Sequence, residues 1–136
     1  MKSNTLIDMT SWTGRVDLED GDLGLRWHQQ ISEATESSTD GIMLLGFACD
    51  EGVYRNKGRI GAYSAPQIIR RALANLAWHH NKAVFDGGDT CCDDTDLEIA
   101  QQQLAALLAL TKGSKCEIIA TGPAIVNFQS ALKILG

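Results

Sequence analysis

Three cations lie close together after a hydrophobic run, and their type and spacing suggest that they bind an anion. Arg55, Lys57 and Arg59 occur in the segment "DEGVYRNKGRIG", with Asn56 between the first two. Arginine and lysine bind carboxylates and phosphates, and arginine does so through a forked pair of hydrogen bonds. The same charges could instead face water on a solvated loop. The residue types alone favour neither interpretation.

The elements around this segment predict that it leaves the carboxyl end of a strand. Consecutive apolar residues at 42–48 indicate a strand that is buried on both faces, as strands of parallel sheets are. The glycines at 46, 52, 58 and 61 predict tight turns and close backbone approach in a flexible loop. Ligands of open α/β sheets bind beyond the carboxyl ends of the strands, so the three cations are suitably placed for a binding loop.

Strands and helices alternate along the rest of the chain. Ser64 as a cap and Pro66 in the first turn predict the start of a helix. Its predicted apolar face consists of Ile68, Ile69, Ala72, Leu73 and Leu76. A second strand is predicted in "KAVFDGGD", a helix from Asp96 to Gly113, and a third strand in "KCEIIATG". This order predicts an α/β fold with a parallel sheet and right-handed crossovers.

Two parts of the chain differ in character. Residues 1–40 are polar and aperiodic apart from a short helix predicted at Leu25–Ile31, and we interpret them as an N-terminal arm. Residues 41–136 carry the β-α-β-α-β pattern. We therefore expect one domain, with the arm preceding it.

Composition excludes several classes of function. The 136 residues carry a net charge of −5, which argues against a binder of nucleic acid or of an anionic membrane. No apolar run approaches the ~20 residues of a membrane span, and the first residues lack a secretion signal, so we expect a cytoplasmic protein. Cysteines 49, 91, 92 and 116 show no CxxC spacing, which is typical of reduced thiols.

Other candidate chemistry is weaker. Neither a GxGxxG fingerprint nor a phosphate-binding P-loop occurs at the first turn. We interpret His28, His79 and His80 as structural or surface residues, because adjacent histidines on a helix do not form a metal-binding pair. The aspartates at 86, 89, 93, 94 and 96 are interpreted as turn-forming and capping residues.

Several blocks of sequence, in order, resemble one family. The segment "LLGFACDEGVYRNKGRIGAYSAPQIIRRALANLAWH", with "WTGRVD", "RWHQQI", "FDGGDTCC" and "LEIAQQQLAALL", is similar to the N-terminal part of formimidoylglutamases. These enzymes are a branch of the arginase/agmatinase (ureohydrolase) family. The resemblance runs from about Trp12 to about Gly113, and residues 115–136 form a divergent tail. It implies the N-terminal portion of an arginase-like fold, a partial three-layer sandwich.

The resemblance also implies an activity and a cofactor. The family hydrolyses N-formimidoyl-L-glutamate to L-glutamate and formamide in histidine degradation, with two manganese ions that activate water. Arg55, Asn56, Lys57 and Arg59 would then bind the carboxylates of this small-molecule substrate.

The metal-ligand motifs of the family do not occur in this chain. GGGHE-, DAHxD- and SxDxD-type segments supply those ligands, and none is found here; Pro123 stands about where a ligating histidine would be. We therefore expect no catalytic residue and no metal ligand in this chain, and expect it to be truncated and inactive alone.

Two alternatives to an enzyme fragment stay open. The chain could be a non-catalytic module for binding or assembly, or an unrelated nucleotide-binding α/β domain, which the missing phosphate loop disfavours. If the chain is an enzyme fragment or such a module, an incomplete parallel sheet would leave an unpaired edge. We accordingly predict marginal stability, with self-association or a complementing fragment as the partner.

Overall fold

A computed structural model of the chain describes residues 7–92, 95–111, 113–122 and 133. The strands are β1 (Ser32–Glu33), β2 (Asp40–Cys49), β3 (Val84–Cys92) and β4 (Lys115–Thr121). The α-helices are α1 (Trp27–Gln30), α2 (Glu51–Arg55), α3 (Ala65–Ala74) and α4 (Leu97–Thr111). Short 3-10 segments occur at Met9–Ser11, Leu18–Gly24 and Ala62–Ser64. The predicted α/β class is confirmed.

The described strands form one parallel sheet in the order β1-β3-β2-β4. Strand β2 lies inside it and is buried over nearly its whole length, as its unbroken apolar run predicts. Strand β1 was missed, because it is two polar residues long and is defined only by its pairing with β3.

Helices cover both faces of the sheet. On one face, α4 buries Leu97, Ala100, Leu104 and Leu108 against β2 side chains such as Phe47. On the other face, Leu44 and Val84 pack with Ala74 of α3 and with Trp12 and Trp27 of the N-terminal region. Three layers result, so the predicted partial three-layer sandwich is confirmed.

The sequence "DGGD" forms a bulge in β3. Leu44 pairs with Asp86 and Gly46 pairs with Asp89, so β3 has one more residue than β2 across this step. Gly88 adopts φ 80°, a conformation that glycine supplies at low cost. Residues three apart on a regular strand face opposite sides, whereas this bulge brings Asp86 and Asp89 to the same side.

The start of α3 and its buried face differ from the prediction. Ser64 precedes the helix and Pro66 lies in its first turn, but the Ser64 side chain makes no capping hydrogen bond. The buried positions are Pro66, Arg70 and Ala74, while Ile68 and Leu76 are exposed. Of the predicted apolar face, Leu73 packs against the core, but Arg70, a charged residue, occupies the centre of the buried face.

The ends of α4 agree with the sequence pattern. Asp96 Oδ1 accepts a hydrogen bond from the Ile99 amide at 3.1 Å, and Gly113 follows the helix with φ 90°. At 15 residues, α4 is the longest helix in the described part of the chain. Among the residues that the structure describes, no helix has both the length and the apolar character needed to cross a membrane.

Strand β4 is exposed. It pairs with β2 and, within the described ranges, with no other strand. Five of its seven residues are exposed, including Ile118 and Ile119 at 36% and 42% of their surface. This is unusual, since strands of parallel sheets are normally covered on both faces.

Candidate functional site

A cavity of about 540 Å³ opens at the carboxyl ends of β2 and β3. Its lining comprises Asp50, Glu51, Tyr54, Ile60, Tyr63, Cys92 and Thr95. Asp50 directly follows β2, and Cys92 is the last residue of β3. The cavity therefore lies where parallel α/β sheets bind their ligands.

The segment after β2 is more ordered than the predicted flexible loop. Residues Glu51–Arg55 form α2, in which the Tyr54 amide donates to the Asp50 carbonyl at 2.9 Å. The Asp50 carboxylate does not cap this helix. Its Oδ1 instead accepts hydrogen bonds from the amides of Gly61 and Tyr63, at 2.9 and 3.0 Å. One carboxylate thus joins both ends of the segment.

Arg55 points towards the start of α4. Its Nε lies 3.0 Å from Glu51 Oε1, and its guanidinium contacts both carboxylate oxygens of Glu98 at 2.6 and 3.3 Å. A further N–H donates to the Thr95 carbonyl at 2.8 Å. The hydrogen bonds to Glu98 and then Glu51 raise the pKa of Arg55, and the Arg55 contact lowers the pKa of Glu98.

The other predicted substrate-binding residues follow α2. The backbone amide of Asn56 donates to the Gly52 carbonyl at 3.2 Å, and the helix ends there. Lys57 adopts φ 57°, a left-handed conformation that is uncommon for lysine. Lys57 and Arg59 are exposed, and within the described ranges neither forms an ion pair. All four predicted residues therefore lie together on one segment, but Arg55 alone is engaged with α4.

A second group of charges lies buried between α3 and β3, and sequence reasoning missed it. Arg70 donates from Nε to Asp86 Oδ2 at 2.8 Å and from a terminal nitrogen to Asp86 Oδ1 at 2.9 Å. Its other terminal nitrogen lies 2.7 Å from Asp89 Oδ1, without hydrogen-bond alignment. The Trp12 indole N–H and the Gly88 amide complete the contacts of Asp86, at 2.7 and 2.9 Å.

We call Arg70, Asp86 and Asp89 the buried charge cluster. Two carboxylates share one guanidinium there, so the cluster carries an excess negative charge when both are ionised. Burial raises the pKa of Asp89, and the nearby Arg70 only partly offsets this. Asp89 also lines a cavity of about 530 Å³ with Asp8, Arg71 and Cys91 among other residues.

The outcome for the aspartates is mixed. Asp86 makes the contact of a turn-forming residue, since its Oδ1 accepts from the Gly88 amide two residues later. The interpretation did not include the buried ion pairs of Asp86 and Asp89 with Arg70. It is confirmed for Asp96. Asp93 and Asp94 lie outside the described residues. The sequence signal for the cluster is the segment "DGGD", because the bulge that it forms orients both carboxylates towards Arg70.

Two of the histidines, His28 and His80, make structural contacts, and His79 is exposed. His28 Nε2 lies 2.8 Å from the Arg15 carbonyl oxygen. The His80 ring packs edge-on against Trp27 and Trp78, with centroids 5.0 Å apart in both pairs. In the part of the chain that the structure describes, no group of three or more histidine, cysteine or carboxylate side chains could hold a metal ion. Pro123 lies outside that part.

Comparison with known proteins confirms the resemblance drawn from the sequence. The chain is 61% identical to the formimidoylglutamase of Aliivibrio fischeri over 90% of its own length and 35% of that protein. It is 58% identical to the formimidoylglutamase of Photobacterium profundum and 49% identical to that of Chromobacterium violaceum. These alignments cover 88% and 76% of the chain and 33% and 34% of the relatives. The chain thus spans about a third of the length of the curated relatives it matches. No family model matches it.

Proposed function

We propose, on the premise that this chain is homologous to formimidoylglutamases over most of its length, that it serves the hydrolysis of N-formimidoyl-L-glutamate. The products would be L-glutamate and formamide, and the setting would be cytoplasmic histidine degradation. Identity of 61% across 90% of the chain is the observation that carries this proposal. In this proposal the chain supplies the substrate-binding segment and part of the sheet, and is inactive by itself.

Charge at the carboxyl end of β2 supports the role in substrate binding. The glutamate portion of the substrate has two carboxylates, which suit the cationic side chains of Arg55, Lys57 and Arg59 and the amide of Asn56. Lys57 and Arg59 are exposed, and they lie on the segment between Tyr54 and Ile60, two residues that line the cavity of about 540 Å³. A dianionic ligand could therefore contact them without breaking an ion pair among the described residues.

The manganese ions that the family implies do not fit the residues described here. Two divalent ions need several carboxylate or imidazole ligands that converge, and no group of three occurs within the described ranges. We propose that the ligands come from polypeptide that corresponds to the remaining two-thirds of the relatives. No catalytic step is assigned to residues of this chain.

The exposed strand β4 supports a requirement for additional polypeptide. Its outer edge has no described partner strand, and Ile118 and Ile119 are exposed. An open parallel edge of this kind can pair with a further strand or with a second copy of the chain. We propose that it pairs with the complementing fragment, with self-association as the default when that fragment is absent.

Fragment complementation tests the proposal. This chain is mixed or co-expressed with the remaining two-thirds of the A. fischeri enzyme, and formamide and glutamate release are measured with added manganese. We expect no turnover from either part alone and turnover from the mixture. Turnover by the chain alone, with two manganese ions bound, would contradict the proposed inactivity. A stable complex without turnover would contradict the proposed role in hydrolysis.

A non-catalytic binding or assembly module is the second candidate. It is favoured by the combination of an intact cationic segment with the lack of a three-ligand group among the described residues. Calorimetric titration of the chain with L-glutamate distinguishes the two. Binding by the isolated chain that complementation does not convert into turnover would support the module.

A further inference from the structure

We propose that Arg55 and Asp50 are positioning residues that fix the segment 56–61, which we call the cationic loop, so that Lys57 and Arg59 contact the anionic ligand. The identity of the ligand rests on the proposed function. The positioning does not, because it follows from hydrogen bonds within this chain.

The hydrogen bonds of Arg55 leave it little capacity for a ligand. A guanidinium has five N–H groups in a fixed planar arrangement. Four of them are directed at Glu51, at both oxygens of Glu98 and at the Thr95 carbonyl, with donor–acceptor distances of 2.6 to 3.3 Å. A forked bond to a carboxylate needs two parallel N–H groups, and at most one remains. Arg55 therefore cannot bind a substrate carboxylate in the forked mode without releasing α4.

These same bonds tie two elements that are distant in sequence. Glu51 is on α2, whereas Glu98 and Thr95 lie in the first turn of α4 and just before it. The helix that precedes the cationic loop is thereby attached to the helix that follows β3. Since β3 ends beside the cavity, Arg55 sets the position of the loop relative to both strand ends.

Asp50 holds the other end of the cationic loop. Its Oδ1 accepts from the amides of Gly61 and Tyr63. Gly61 has φ 137°, where a side chain would be strained, so the chain can turn back to Asp50 at this position. Asp50 itself directly follows β2. The loop is consequently closed on the strand from which it starts.

Arg55 and Asp50, which we call the anchors, leave the cations of the loop available. Lys57 and Arg59 are exposed, and neither is ion-paired within the described ranges. The loop shape depends on the anchors, whereas the affinity for an anion depends on these two side chains. The two roles are separable by experiment.

Hydrogen exchange of the isolated chain, measured by NMR without ligand, tests the anchors. The reporters are the amides of Gly61 and Tyr63. Asp50→Ala removes their acceptor, and we expect about tenfold faster exchange at both, as expected for the loss of a bond to a carboxylate. Arg55→Gln breaks the attachment to α4, and we expect a smaller, several-fold increase at the same amides.

Matched variants control for charge and folding. Arg15→Gln removes an equally charged and more exposed side chain, whose partner is Asp17 at 2.7 Å, and should leave both amides unchanged. Arg55→Lys keeps the charge but cannot span all three partners, so it should resemble Arg55→Gln. If Asp50→Ala fails to fold, Asp50→Asn, which keeps an oxygen acceptor, should show an intermediate exchange rate. The proposal would be overturned if the Gly61 and Tyr63 amides exchanged no faster in Arg55→Gln and in the Asp50 variants than they do in Arg15→Gln.

The complemented enzyme gives a second measurement. Lys57→Asn removes the charge with a residue that tolerates positive φ, and Arg59→Gln is its counterpart. We expect both to raise KM about tenfold or more with little change in kcat, and to leave amide exchange unchanged. Arg55→Gln should change kcat together with KM, because the loop itself moves. An increase in KM alone for Arg55→Gln, equal to that of Arg59→Gln, would make Arg55 a ligand contact and overturn its assignment.

Discussion

Two arginines of this molecule have similar partners and opposite surroundings. Arg70 faces Asp86 and Asp89 with 2% of its side chain exposed, while Arg55 faces Glu51 and Glu98 with 42% exposed. Water screens and competes with the exposed contacts, so their contribution to stability is small. The buried contacts have no such competitor, and a missing partner there leaves a charge without solvation. The same chemistry therefore maintains the fold in one place and the shape of a loop in the other.

Removal of the buried guanidinium should have the largest effect. Arg70→Met keeps an apolar stem of similar length but leaves Asp86 and Asp89 unpaired. We expect a loss of about 3–5 kcal/mol in the free energy of unfolding, measured by urea denaturation. Arg71→Met is the matched control, because Arg71 is the next residue on α3 and is exposed. Equal urea midpoints for the two variants would show that the buried charge cluster does not stabilise the fold.

The two carboxylates of the cluster should differ from each other. Asp86 receives four short contacts, from Arg70, Trp12 and Gly88, so we expect Asp86→Asn to cost about 3 kcal/mol. Asp89 has a raised pKa, which means that its ionised form opposes folding. We therefore expect Asp89→Asn to be neutral or stabilising at pH 7, as judged by the urea midpoint.

The stability of the chain should depend on pH through Asp89. Because burial raises the pKa of Asp89 in the folded state above its ordinary value, the folded chain binds this proton more readily than the unfolded chain. The penalty from Asp89 is complete above the raised pKa and diminishes as the pH falls through it towards the ordinary pKa of the carboxyl group. Any advantage of Asp89→Asn over the parent should decrease over the same range. An advantage that grows on acidification would contradict the assigned direction.

Two glycines extend the comparison to the backbone. A Cβ on Gly46 would overlap Asp89 Oδ1 and come within 2.9 Å of Pro66 Cβ, so Gly46→Ala should displace the buried charge cluster. We expect a loss of about 1–3 kcal/mol. A Cβ on Gly52, in α2, would come no closer than 3.7 Å to Leu97. Gly52→Ala should therefore stabilise the chain slightly, since alanine favours helix more than glycine does. The urea midpoints of the two variants should move in opposite directions.

How much of this arrangement the sequence predicts depends on whether a residue's role is local. Strand β2 and helix α4 were predicted because apolar runs and helical periodicity are properties of the segments themselves. Strand β1 was not, since two polar residues become a strand only through pairing with β3. The position of the cationic segment followed from the end of β2, and this is confirmed.

The roles of the charges were harder to predict, because they depend on contacts across the fold. The predicted apolar face of α3 did not include Arg70, yet Arg70 is buried in an ion pair with Asp86, 16 residues later. Arg55 appeared available for a ligand, yet Glu98 lies 43 residues away in sequence and engages it. The assignment of Arg55, Asn56, Lys57 and Arg59 to substrate binding stays a prediction.

The smallest expected effect concerns the exposed arginine. Arg55→Gln should shift the urea midpoint by less than about a fifth of the shift for Arg70→Met, because exposed ion pairs contribute little to stability. That shift should also decrease further in high salt, which screens exposed charges within about 10 Å at 0.1 M and more closely at higher ionic strength. The effect of Arg70→Met should not depend on salt in this way, because ions do not reach the buried charge cluster. A large, salt-independent loss for Arg55→Gln would remove the distinction between the two arginines, and would make the contact between α2 and α4 part of the core of the fold.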